Sequence, residues 1–278
     1  MISIFQRTRF STALITVASL FIAAFSVTAG ALGEDSYTTK EARPMYEVAK
    51  ALEQKYGWRI TYEDPPLENA SELRDITSSS YKATHADPND VTLVPLARPF
   101  TFTWGATGGH FIRQDVLEQC VDQHNRMAQN PGRFYSYQQG SVSHIVASEF
   151  RRKDGSMARA QSLLDTIVGF PVEERTLLQT VSLILSSIES QTGTHISLGM
   201  APGHVMTQKI SVGADNITAR DALLLALNAL DARNLEMGAP LLQMSWAMLY
   251  QADERGYYFN LHAIHSPSAS DMLLGEKN

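Results

Sequence analysis

The sequence contains one cysteine, Cys120, so no intramolecular disulfide can staple the fold. Positive charge is also scarce. The 23 Lys and Arg stand against 29 Asp and Glu, for a formal net charge of −6, and the densest basic cluster is Arg151-Arg152-Lys153. An acidic chain without a basic stripe is a poor binder of polyanions, which argues against a nucleic-acid partner. The glycines of Trp104-Gly105-Ala106-Thr107-Gly108-Gly109-His110 lack the Lys-Ser/Thr of a phosphate loop, so that stretch reads as a joint. No cofactor fingerprint stands elsewhere, and no cofactor is expected.

One long uncharged run is present, from Phe10 to Gly33. Arg7 and Arg9 precede it, and Val27-Thr28-Ala29 and Ala29-Gly30-Ala31 near its end are both cleavage patterns. A charged start, an apolar centre and a small-residue flank predict a secretory signal peptide over residues 1–31. The competing reading is an uncleaved anchor, since the run slightly exceeds the roughly 20 residues that span a bilayer. That leader would then be the chain's one membrane contact. The expected location is periplasmic or secreted.

Residues Glu34 to Lys40 read as a short tail. Pro44 opens a helix whose Met45, Val48, Ala49, Leu52 and Tyr56 share a face, and Gly57 provides a left-handed cap. Trp58, Ile60 and Tyr62 then alternate with Arg59, Thr61 and Glu63, the period of a half-buried strand, before Asp64-Pro65-Pro66. A polar stretch from Leu67 to Asp90 leads to the short strands VTLVPL and FTFTW. A second helix spans about Phe111 to Met127, with Ile112, Val116, Leu117, Cys120, Val121 and His124 on one stripe. RFYSYQ and SVSHIVAS form a hairpin around Gln139-Gly140.

After a joint reaching Ala160, SLLDTIVGF predicts a strand. Glu173 and Glu174 fit the first turn of a helix lined by Leu177, Leu178, Val181, Leu185 and Ile188 and ended by Gly193. Strands HISLGM and KISVGA precede a capping-box pattern, Thr218-Ala219-Arg220-Asp221, and a helix with Leu223, Ala226, Leu227 and Leu230 on its buried face. LLQMSWAMLYQ and GYYFNLHAI predict a closing hairpin.

The order of elements recurs, and so does a phrase. LEQKYGWRITYEDPP laid on IESQTGTHISLGMAP places Glu53 on Glu189, Gly57 on Gly193, Ile60 on Ile196 and Pro66 on Pro202. Gly57 and Asp115 are 58 positions apart, Gly193 and Asp221 only 28, so the first half carries an excess of 30 residues. The expectation is an α+β protein of two tandem modules, each with two helices on a short mixed or antiparallel sheet. The first module covers 42–150, with a polar insertion at about 67–96; the second covers 160–265, and 266–278 form a tail.

The second half resembles the short N-terminal domain of secretins and TonB-dependent receptors. The matching residues are Ser190-Gln191-Thr192-Gly193, Lys209-Ile210-Ser211-Val212, Thr218-Ala219-Arg220-Asp221-Ala222-Leu223 and Gly256-Tyr257-Tyr258-Phe259. The resemblance covers roughly residues 172 to 264 and implies a small periplasmic interaction module that contacts partners by packing or strand addition. In that family a pore or barrel domain follows; none is expected here. The phrase from Lys55 to Pro65 also resembles one in exported bacterial proteins of unknown function.

Candidate chemistry is sparse. Cys120 and His124 are four apart on a helix and can meet as thiolate and imidazole, but they share the stripe of Leu117 and Val121, which favours core packing. His262 and His265 need a third ligand to make a zinc site, and Asp253 and Glu254 are the nearest acids. His85 and Asp87 lie in the polar stretch. Glu63-Asp64 is an adjacent acid pair beside strong turn chemistry. Phe134, Tyr135 and Tyr137 offer an aromatic surface for a sugar or a peptide, with half of the strand expected in the core. No catalytic or metal-binding set is assigned from these, and no specific binding residues. The expected function is a non-enzymatic binding protein of the bacterial cell envelope whose partner is an envelope protein or peptide. The alternative is an envelope hydrolase with a His/acidic site between the modules.

Overall fold

The computed structural model describes residues 34–77, 91–107, 110–238 and 243–264; the stretches read as a leader (1–31) and a tail (266–278) lie outside them. The fold is mixed α/β, consistent with the α+β class. No helix among the described residues is long and apolar enough to cross a membrane.

The stretch read as a tail is strand β1 (Glu34–Thr39), which turns Tyr37 toward the core. Helix α1 (Pro44–Tyr56) starts on Pro44 and ends at Gly57, φ 65°, whose N–H donates to the Glu53 carbonyl. Strand β2 (Arg59–Glu63) follows. It is buried on both faces rather than one, because strands pair with it on either side and helices cover it above and below. The polar insertion holds a 3-10 turn at Ala70–Glu72 and a small ladder of β3 (Leu73–Asp75) with β4 (Leu93–Pro95). Strand β5 (Phe100–Gly105) pairs antiparallel with β1. Helix α2 (Arg113–Arg126) and the hairpin of β6 (Arg133–Gln139) and β7 (Val142–Arg151) complete the first half.

The joint between the halves includes β8 (Met157–Arg159), which folds back on β7, and a 3-10 turn at Leu163–Asp165. Glu173 and Glu174 lie in β9 (Ile167–Thr176) instead of a helix. The helix boundary falls later because Thr176 and Gln179 form a reciprocal capping box, and the long β9 ladder holds the two acidic residues opposite Val212 and Ser211. Helix α3 (Leu177–Thr192) ends at Gly193, φ 69°, before β10 (Ile196–Leu198) and the short helix α4 (Gly203–Met206). Strand β11 (Lys209–Thr218) pairs with β9. Helix α5 (Ala219–Glu236) begins as expected, with Thr218 Oγ1 accepting from the Asp221 N–H at 3.1 Å. The reciprocal half of that box is missing: the short Asp221 carboxylate accepts from the Thr218 hydroxyl and from Gln139 instead. Strands β12 (Gln243–Gln251) and β13 (Gly256–Ile264) form the last hairpin.

Seven of the described strands form one mixed sheet that both halves share, while β1–β5, β9–β11 and β3–β4 are separate two-stranded ladders. The order of the shared sheet is β10-β13-β12-β2-β7-β6, with β8 on the end of β7. Strand β2 runs parallel to β7, and β10 runs parallel to β13; β12 then joins β2 in parallel at the centre. Side chains alternate across a strand, so parity assigns the layers. Ile60 and Tyr62 pack with Met45, Leu52, Val116 and Leu117 of α1 and α2. Arg59 and Glu63, one residue out of step, reach α5. Trp246 and Met248 of β12 pack with α3 and α5. The helices of the first half thus cover one face of the sheet and those of the second half the other, giving two apolar cores.

Helix α2 also closes strand edges. The Thr103 N–H donates to Gln123 Oε1 at 2.9 Å, and Gln123 Nε2 donates to the Thr103 carbonyl. Gln119 does the same for Gly105, at 2.9 and 3.4 Å. On its other flank Asn125 Oδ1 accepts from the Phe134 N–H at 3.0 Å, and Asn125 Nδ2 donates to the Phe134 carbonyl at 2.8 Å. Each amide offers one donor and one acceptor, as the peptide of a neighbouring strand would. Replacing Gln123 by Ala is expected to lower stability by about 0.5–1.5 kcal/mol, since water takes over part of the exposed bonding. Urea unfolding measures it; no change would mean that the β5 edge does not need this cap.

Candidate functional site

A cluster of buried, mutually bonded polar side chains lies where the halves meet. Glu63, at the end of β2, faces α5 and is buried. Arg220, in the first turn of α5 and also buried, donates through Nη1 to Glu63 Oε1. Its Nη2 donates to Ser162 Oγ and to Asp165 Oδ1, both at 2.9 Å. Ser162 caps the 3-10 turn, accepting from the Leu164 N–H at 3.1 Å, and gives its own proton to Glu63 Oε2. Burial pushes the Glu63 carboxyl up, while Arg220 and Ser162 pull it back. Burial weakens the Arg220 cation, yet Glu63 and Asp165 outweigh it and hold the guanidinium charged.

An aromatic stack stands on this cluster. The Arg220 guanidinium lies 5.8 Å from the Tyr137 ring centre. Tyr137 stacks on His144 at 4.8 Å and on Tyr135 at 5.9 Å, and burial lifts its phenol to about 12. His144 Nδ1 meets Thr61 Oγ1 at 2.7 Å. Its Nε2, and the nearby Trp246 Nε1, have no hydrogen-bond partner among the described residues. Burial first, then the Arg220 and Arg59 charges, push the His144 imidazole down to about 3. A second ion pair flanks the cluster: Arg59 Nη1 is 3.6 Å from Asp231 Oδ2 and 3.4 Å from Asn228 Oδ1.

Glu63 and Asp64 splay apart, as adjacent residues at a strand end do. Asp64 accepts from Arg43 Nε at 2.5 Å, the Tyr62 hydroxyl at 2.6 Å and the Tyr250 N–H at 2.9 Å. The arrangement of Ser162 on Glu63 is that of a hydroxyl on a base. Arg220 bonds both, however, and its charge opposes proton transfer to the carboxylate, working against the rise that burial causes.

The other candidates are dispersed. Cys120 and His124 are both buried on α2; burial lifts the thiol to about 12 and lowers the imidazole to about 4. His124 Nε2 faces the Pro131 carbonyl at 3.2 Å, and its ring meets Phe134 edge-on at 5.1 Å. His262 bonds Glu53 of α1 at 2.8 Å, at the far end of β13 from Asp253 and Glu254. His265, His85, Asp87, Gly108 and Gly109 lie outside the described residues. Among the described residues no three His, Cys, Asp or Glu converge as a metal site. Phe134 is core, whereas Tyr135 is 43% exposed and presents the open face of the aromatic pair. Ser162, Asp165 and His144 carried no sequence signal. Arg220 carried one: a cation in the first turn of an apolar helix opposes the helix dipole, which implies a partner elsewhere.

Comparison with known protein families, with curated proteins and with solved structures found no match for the chain.

Two outcomes follow from this geometry. Arg220→Met strands the Glu63 charge and should cost about 3–5 kcal/mol, whereas adding Glu63→Leu should recover much of that loss. A double-mutant cycle by denaturant unfolding measures the coupling, and additive losses would refute it.

The second concerns acid. His144 and His124 are held neutral when folded, and the unfolded chain takes up their protons below about 6.5. Their contribution is therefore complete above 6.5 and declines as pH falls toward 3 for His144 and 4 for His124. Each adds a slope of up to roughly 1.4 kcal/mol per pH unit inside its window. The Glu63 carboxyl, raised above its ordinary 4.5, acts with the opposite sign just above that pH. His144→Gln should flatten the acid limb of a stability–pH curve relative to wild type, and an unchanged limb would contradict the assignment.

Proposed function

We propose that the chain is an exported, non-enzymatic interaction protein of the bacterial cell envelope, built of two tandem copies of one α+β module. The observation that carries this reading is a pairing scheme that occurs in both halves. In each, a strand, a helix and a second strand precede a third strand, a second helix and a hairpin. In each, the first and third strands pair antiparallel, and the strand after the first helix runs parallel to the second hairpin strand. From the first helix onward, the order of elements is compatible with the resemblance to the short domain of secretins and TonB-dependent receptors, whose role is partner contact. The leader at 1–31 supports export, and the acidic charge disfavours nucleic acid.

Strand addition by an envelope protein or peptide is the binding mode this reading favours, and edge chemistry narrows its place. The β5 and β6 edges are bonded by α2 amides. Strand β10 ends the sheet among the described residues. The His195 carbonyl and Gly199 N–H point to β13, so by alternation the N–H and C=O of Ile196 and Leu198 point outward. Met200, 74% exposed, stands beside them. The hydrolase alternative needs a His/acidic site between the halves, where His144 bonds Thr61 and Glu63 is held by Ser162 and Arg220.

Leu198→Pro removes an outward N–H without breaking the ladder to β13. Site-specific crosslinking from Met200 in intact envelopes should yield a discrete adduct with wild type and lose it in Leu198→Pro. An adduct that survives the proline places binding elsewhere; hydrolysis of an envelope polymer by the purified chain would favour the alternative.

A further inference from the structure

The seven-stranded sheet ends on β6 at one side and β10 at the other. At its centre β12 and β2 meet in parallel, and the Asp64 N–H donates to the Met248 carbonyl at 2.8 Å. Strand β6 is the first strand of its hairpin, as β12 is of the other. Strand β10 follows its helix and glycine, as β2 does. The two ends of the sheet are therefore complementary in the same sense as the two strands joined at its centre. A parallel β6–β10 contact between two chains would repeat the internal junction.

Occupancy of the edge is what differs. The hairpin closes on Gln139 and Val142, so the backbone groups of Phe134 and Ser136 point away from β7. Asn125 bonds both the N–H and the C=O of Phe134, at 3.0 and 2.8 Å, and Gln114 Nε2 lies 3.3 Å from the Ser136 carbonyl. With Asp115 corresponding to Asp221, the counterparts of Gln114 and Asn125 on α5 are Arg220 and Asp231. Those two reach past the strand edge to Glu63 and Arg59 of β2. The same two helix positions thus clamp an incoming strand in one half and cover the edge in the other.

We propose that Asn125, assisted by Gln114, caps β6 and prevents its parallel pairing with β10 of a second copy of this chain. The inference rests on the two-module reading above. The blocked contact is head-to-tail, and such a contact does not close on itself, so an uncapped edge leads to chains of copies rather than dimers.

The test uses the purified chain alone, which separates it from capture of a foreign partner at β10. Sedimentation across a concentration series should give Asn125→Ala a weight-average mass about twofold or more above wild type at the highest concentration, because open-ended contacts keep adding copies. Adding Leu198→Pro should return the mass to the wild-type value. Asn125→Asp keeps the acceptor for the Phe134 N–H and loses the donor to its carbonyl. It should shift in the same direction by less, and serves if the alanine variant loses its native circular dichroism. Folded variants that sediment as wild type overturn the proposal, and so do oligomers that survive Leu198→Pro.

Discussion

Strand β2 is buried on both faces, and the charged residues of its polar side demand partners that the other half of the chain supplies. Arg59, Thr61 and Glu63 alternate with Ile60 and Tyr62, a pattern that elsewhere marks a strand with one wet face. Here that face lies under α5. Burying a carboxylate and a guanidinium is costly unless each is paired and fully bonded, so the position of α5 is tied to the placement of Arg220 and Asp231 opposite Glu63 and Arg59. Ser162 and Asp165 add hydrogen bonds to the Glu63–Arg220 pair, and His144 closes on Thr61. Pairing β12 with β2, covering both with α5 and keeping His144 uncharged are one linked arrangement.

The same logic separates a clamp from a reactive site. The acidic and hydroxyl groups at the seam satisfy one another, with an arginine bonded to both, and the cysteine is sealed in the first core. What reaches solvent is of another kind: the open face of Tyr135, the short edge of β10 and the exposed Met200. In the proposed reading these are the groups that would contact another chain.

Helix α2 shows how a polar helix serves a fold. Its centre supplies Val116, Leu117, Cys120 and Val121 to the core, while its flanks carry Gln119, Gln123 and Asn125. Read by periodicity alone, these amides are a solvated surface. In the folded chain they substitute for missing strands on two separate sheet edges, which removes sites where another chain would pair.

Much of the local structure was determined by the sequence itself. Pro44 and Gly57, the Thr218 cap, the hairpin turns and the apolar stripes all act over a few residues, and the elements they predict are present. Where local rules competed, the long-range ladder prevailed: Glu173 and Glu174 suit a helix start, but the β9–β11 ladder and the Thr176 capping box moved that start past them. Tertiary structure alone decided which edges meet and which charges pair. Glu63 and Arg220 are 157 positions apart, and neither residue's neighbours encode the other. Capping, turn and periodicity preferences are fixed by the chain's immediate surroundings, whereas the cost of a buried charge appears only once distant segments have excluded the water around it.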